Sequence, residues 1–127
     1  MKIEHIAIWT SNLELMKDFY VTYFDGVPNE RYENPLKKFS SYFIAFADGC
    51  RLELMQRDDV KNSSERGDYL GITHLAFSTG NKENVTALTE RLRADGYTIA
   101  SETRTTGDGY FESVVLDPEN NRIEITE

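Results

Sequence analysis

The stretch "IEHIAIW" (residues 3–9) returns as "ITHLAFS" (residues 72–78), and this return decides how the chain is read. Laid one over the other, His5 falls on His74, an offset of 74 − 5 = 69. Further along, Asp25-Gly26 falls on Asp95-Gly96 at 95 − 25 = 70. "RLEL" (51–54) then falls on "RIEI" (122–125) at 122 − 51 = 71. A slow drift of offset, spread over whole halves, is what two diverged copies of one unit produce.

Local patterning gives each copy the same order of elements. "KIEHIAIW" (2–9) is a short apolar run with β-branched residues, expected as a strand buried on both faces. In "SNLELMKDFYVTYFDG", Ser11 and Glu14 form an S-x-x-E capping box. Leu13, Met16, Tyr20 and Tyr23 recur at helical spacing, Phe19 and Phe24 widen the stripe, and Gly26 offers a left-handed stop. That aromatic stripe is core packing. Residues 27–56 read as three strands, the first around Pro28 to Glu33, and Asp48-Gly49 turns the hairpin between the other two.

"RDDVKNSSERGDYLG" is polar and unpatterned, hence a connection, and nothing is read into its Asn62-Ser63-Ser64 sequon without a secretory signal. The second copy follows. "ITHLAFST" is a strand, and Asn81 caps a helix with Val85, Leu88 and Leu92 on one face. "YTIASETR", "GYFESVVLDP" and "NRIEITE" are strands. Gly107-Asp108-Gly109 is a hairpin turn and not a phosphate loop, since no helix follows it. Each copy therefore reads βαβββ. The expected fold class is α+β: two tandem βαβββ modules forming a curled, mostly antiparallel sheet with helices on the outer face. The expected organisation is one domain, 1–127, with module one at 1–56, a connection at 57–70 and module two at 71–127.

The copies carry chemistry at matching points. The only two histidines, His5 and His74, sit on the first strand of each, and Glu53 and Glu124 sit on the last. Glutamate is disfavoured in strands, yet it occurs twice in the same surroundings. Period-two alternation puts Arg51, Glu53 and Met55 on one face, and Arg122, Glu124 and Thr126 on another, each opposite the aliphatic residues. Two imidazoles and two carboxylates suit one borderline divalent cation: zinc or nickel, with iron, cobalt or manganese as further candidates. Neutral imidazoles must hold such an ion, so binding is expected to weaken in acid.

Composition narrows the partners. A net charge of 14 − 22 = −8 leaves no basic stripe for nucleic acid or an anionic membrane surface. No apolar run is long enough to span a bilayer. The absence of a visible signal peptide and the single cysteine, Cys50, suit a reducing cytoplasm, with Cys50 a small hydrophobe in a strand.

The paired layout, with "HIAIW", "HLAF", "RLELM", "RIEIT" and "DPENNRIEI", resembles the vicinal oxygen chelate superfamily, also called the glyoxalase and bleomycin-resistance superfamily. The resemblance covers essentially the whole chain. It implies that His5, Glu53, His74 and Glu124 match the four metal-ligand positions. The second carboxylate, Glu53, looks like the glyoxalase I (lactoylglutathione lyase) branch. That branch implies a metal-dependent lyase or isomerase acting on a small vicinal-oxygen substrate through an enediolate. By similarity Glu124 is the base and Glu53 its symmetric partner. Many members are homodimers, so a homodimer is the expected assembly.

One departure concerns the thiol. Glyoxalase I typically has an arginine four residues after its first histidine, contacting glutathione, whereas this chain has Trp9. An indole cannot grip a carboxylate as a guanidinium does, which argues against glutathione. Trp9 is then either a pocket wall or a strand-end packing residue, and position alone places Tyr42, Arg104 and Tyr110 as substrate-binding residues. Two alternatives stand beside the lyase: a small-molecule binding or resistance protein of the same fold, and a metal-dependent dioxygenase using His5, His74 and Glu124.

Overall fold

The computed structural model describes residues 1–61 and 71–127. The sequon at 62–64 lies outside the described residues, as does most of the connection. The chain divides into two compact units, Met1–Glu65 and Arg66–Glu127. Both are α+β, each a mixed sheet with one helix.

The first unit runs β1 (His5–Trp9), α1 (Leu13–Phe24), β2 (Val27–Pro28), β3 (Tyr32–Asn34), β4 (Phe39–Ala45) and β5 (Arg51–Arg57). The sheet order is β1-β5-β4-β2, with β3 also on β4. β1 pairs parallel with β5, and the other pairings are antiparallel. Leu13, Met16, Phe19 and Tyr20 of α1 are buried, as are Ile44, Leu52 and Leu54 on the sheet. Burying an aliphatic or aromatic side chain of this kind contributes roughly 1.5–3 kcal/mol, so this stripe is the adhesive of the unit.

Four details differ from the sequence-based expectation. β1 is not buried on both faces: it is an edge strand, and its residues alternate between exposed and half-buried. The single strand expected around Pro28–Glu33 is two short ones. Between them the Asn29 carboxamide oxygen accepts the Phe43 N–H at 2.7 Å, where a ladder would offer a backbone carbonyl. The cap of α1 is Asn12, whose Oδ1 accepts from Leu15 N at 3.1 Å. Glu14 is instead bound by Lys17 Nζ at 2.9 Å, Arg31 Nη1 at 2.9 Å and the Tyr42 hydroxyl at 3.0 Å. Those partners, Lys17 first, hold its carboxyl below the usual range against the opposing effect of burial.

The fourth concerns the helix stop. Asp25 itself takes the left-handed conformation, with φ 52°, and Gly26 does not. Gly26 is needed for space: a Cβ there would lie 2.5 Å from Ile44 Cγ2 and 3.0 Å from the Tyr20 carbonyl oxygen.

The second unit runs β6 (Leu75–Ser78), α2 (Lys82–Ala94), β7 (Ile99–Thr105), β8 (Phe111–Leu116) and β9 (Arg122–Thr126), in sheet order β6-β9-β8-β7. β6 pairs parallel with β9, repeating the β1–β5 arrangement. Asn81 caps α2 through Asn84 N at 2.8 Å, as expected, and Gly96 takes the left-handed stop at φ 90°. Val85 and Leu92 are buried, as are Val115, Ile123 and Ile125. Thr89 is fully buried and Leu88, on the expected stripe, only half-buried; the Thr89 hydroxyl meets Ser113 Oγ at 2.7 Å. The bend between β8 and β9 is built on Asp117, whose Oδ1 accepts from Glu119 N and Asn121 N at 2.9 Å each.

Two outcomes follow for stability, both measured by urea unfolding. Gly26→Ala should lose roughly 1–3 kcal/mol, the usual cost of overpacking, because Ile44 must be pushed aside; an unchanged midpoint would show that the contact relaxes freely. Asn12→Ala should lose about 0.5–2 kcal/mol as a removed cap, and more than Ser11→Ala; the reverse order would restore Ser11 as the cap.

Candidate functional site

Parallel pairing sets the geometry of the first unit's helix-free face. The register places His5 beside Arg51 and Ala7 beside Glu53, so His5 and Glu53 are diagonal neighbours pointing the same way. His5 Nε2 lies 3.8 Å from Glu53 Oε2, with the Glu53 side chain largely withdrawn from solvent and His5 half exposed. The other ring nitrogen, Nδ1, contacts Glu4 Oε2. Arg51 Nε donates to Glu4 Oε1 at 2.9 Å. The His5 contact, then Arg51, holds the Glu4 carboxyl below the usual carboxylate range.

Phe43, cross-strand from Glu53, forms the floor of this cluster. The His5 ring meets it edge-on at 5.4 Å, and the Arg51 guanidinium sits 4.1 Å from its centroid. Glu4 and Phe43 were not singled out in the sequence. The signal available was the acidic residue directly before His5 and the odd-numbered alternation of β4.

The second unit repeats the core of this arrangement. β6 and β9 pair Ala76 with Glu124, and His74 Nε2 lies 3.4 Å from Glu124 Oε2. Its surroundings differ. Glu112 of β8, which pairs with Thr126, is the diagonal neighbour of Glu124 on the same face of the sheet. Arg104 Nη2 reaches Glu112 Oε1 at 3.3 Å. Burial, then the Glu112 charge, pushes the Glu124 carboxyl above its ordinary range, and His74 opposes this. No local pattern pointed to Glu112. By the offset of 71 it stands where the first copy has Ser41 (112 − 71 = 41).

The remaining expected site residues do not all share the faces of the two pairs. Trp9 shares the face of His5 and Glu53, with Phe39 edge-on at 6.2 Å and the Arg57 guanidinium 5.1 Å from its ring. Arg104 lies on the same face as Glu112, next to which it pairs. Tyr110 is exposed just before β8. Tyr42 is turned the other way. It pairs with the buried Leu54 and donates to Glu14 on α1, so it lies on the helix-bearing face and not with Glu53.

Among the described residues, no three His, Cys, Asp or Glu side chains gather into a metal-binding group. Each unit by itself therefore supplies two donors: one imidazole nitrogen and one carboxylate oxygen. The donor chemistry fits a borderline divalent cation. So does the spacing: two ligands about 2.1 Å from a tetrahedral zinc are about 3.4 Å apart, against 3.4 Å and 3.8 Å in the two pairs. The Glu4 contact at Nδ1 also matches the carboxylate that usually orients a ligating imidazole.

Residues 2–125 match the glyoxalase/bleomycin resistance protein/dioxygenase superfamily, and the chain belongs to it. An uncharacterised Bacillus subtilis (strain 168) protein, YqjT, is 26% identical over 127 residues, spanning 97% of this chain and 96% of that protein. A glyoxalase family protein from Enterococcus faecalis has a similar structure, with TM-score 0.79 and 25% identity over 99% of this chain and 97% of its own. Glyoxalase I from Zea mays superposes with TM-score 0.79 at 19% identity, covering 98% of this chain but 44% of the maize chain. The chain thus spans less than half the length of that relative, and at such identity the likeness concerns the fold alone. No helix among the described residues is long and apolar enough to cross a membrane.

Proposed function

We propose that the chain is a metal-dependent lyase or isomerase of the glyoxalase I kind, acting on a small molecule with two vicinal oxygens. The observation that carries this reading is the recurrence of one imidazole–carboxylate pair, at 3.8 Å and 3.4 Å, at matching points of the two units. His5 and His74 would hold a divalent cation, zinc or nickel foremost, through Nε2, with Glu53 and Glu124 contributing oxygens. When bound, the cation supplies Lewis acidity toward the two substrate oxygens.

The protein's own groups do the rest. A Glu124 oxygen takes the proton from the carbon next to the carbonyl and returns it to the neighbouring carbon, so no oxidant is consumed. Its neighbour Glu112 supports this assignment over Glu53, because a second carboxylate helps Glu124 to retain the proton between the two transfers. Glu4 fixes the His5 ring so that Nε2 is the nitrogen offered. Trp9, uncharged, supports a thiol other than glutathione as the carrier of the substrate.

The test is to purify the protein without added metal, determine the ion it carries, and offer it the hemithioacetal of methylglyoxal with several thiols. Turnover should vanish with a chelator, return with the ion, and fall by about a hundredfold or more in Glu124→Gln, with a smaller loss in Glu53→Gln. Ligand binding without turnover would make the chain a binding protein instead, and oxygen uptake with a catechol would make it a dioxygenase. Glu4→Gln should weaken metal affinity by about tenfold or more, as loss of an orienting carboxylate does. Competition with a chromophoric chelator reads this, and an unchanged affinity would remove Glu4 from the site.

A further inference from the structure

The helix-free face of the second sheet carries four polar residues in a row: His74 lies 3.4 Å from Glu124, Glu112 is the diagonal neighbour of Glu124, and Arg104 reaches Glu112 at 3.3 Å. The two ends of the Glu112–Arg104 pair are unequally placed. The Glu112 side chain is 12% exposed and that of Arg104 is 63% exposed. A group arriving from solvent therefore meets the guanidinium, while the carboxylate is withdrawn behind it.

The fold does not require this pair. The first copy has Ser41 at the equivalent position, and its strands β4 and β5 pair without interruption there. Burying a carboxylate is costly, and an ion pair with so exposed a partner recovers little stability. A second carboxylate beside Glu124 also raises the local negative charge in a protein of net charge −8. An anion approaching that face would be repelled unless a cation stood at the entrance.

We propose that Arg104 receives an anionic arm of the substrate, with Glu112 holding the guanidinium in place. The inference rests on the reading of the site given above and narrows its substrate class. That class is a small vicinal-oxygen compound bearing a carboxylate or similar oxyanion away from its reacting carbons. The contact with Glu112 engages Nη2, and a guanidinium carries five N–H donors in a planar fork that matches a carboxylate. Arg104 is a specificity residue in this scheme and takes no part in the proton transfer.

Hydroxamates test this without turnover, because they present two vicinal oxygens to a metal. The full chain, loaded with zinc or nickel, is titrated calorimetrically with the monohydroxamate of succinic acid and with its uncharged amide twin. In the unsubstituted protein the carboxylate probe should bind about tenfold tighter than the amide, the equivalent of one charge-assisted contact. Arg104→Gln should bring that ratio to about one, and Arg104→Lys, which keeps charge but loses the fork, should leave an intermediate ratio. A ratio that survives in Arg104→Gln would overturn the proposal, as would equal losses for both probes, which would mark Arg104 as a neutraliser of Glu112 only. Failure of either probe to bind the metal-loaded, unsubstituted protein would overturn the metal-site reading and this inference with it. Binding with equal affinity for the two probes would overturn the inference alone.

Discussion

Everything at the candidate site depends on the parallel pairing of the first and last strands of each unit. In such a pair, facing residues share a side of the sheet, so one choice of register decides what His5 and His74 can meet. Placing Ala7 beside Glu53 and Ala76 beside Glu124 leaves a small side chain next to each carboxylate and an imidazole on the diagonal. A slip of one residue would turn both glutamates toward the helix-packed side, where nothing apolar could stabilise their charge, and turn Leu52, Leu54, Ile123 and Ile125 out of the core. The aliphatic residues flanking each glutamate thus enforce the register, and the register delivers the carboxylate.

Duplication supplies the pattern twice, and divergence then gives each pair different surroundings. In the first copy the imidazole has Glu4 behind it, Phe43 below it and Arg51 clamping Glu4. The matching residue before His74 is Thr73, with no charge to offer. In the second copy it is the carboxylate that is elaborated, through Glu112 and Arg104. Under the proposed function, the first half would orient a ligand and the second would carry the base.

Much of this was readable from the chain alone, because it depends on short-range periodicity. The repeat offset, both helices, the Asn81 cap, the two hairpins and the face occupied by each glutamate all follow from spacing within one element or between the copies. What was missed depends on partners distant in sequence. Glu14 fits a capping box until Arg31 and Tyr42 are brought to it from 17 and 28 residues away. Tyr42 looks like a pocket residue until hairpin register sets it across from Leu54. Glu112 reads as an ordinary solvated strand residue until β7 carries Arg104 beside it and burial makes it costly. The break between β2 and β3 hangs on one side chain, Asn29, standing in for a carbonyl.

The proposed function requires both imidazole–carboxylate pairs to serve a single cation. X-ray absorption fine structure on the zinc- or nickel-loaded protein counts the imidazoles around each ion directly. The account predicts two imidazole nitrogens per ion, accompanied by oxygen donors, and the loss of one on His5→Ala or His74→Ala. A single imidazole around each ion, with two ions taken up per chain, would contradict it, as would ions bound with no imidazole at all.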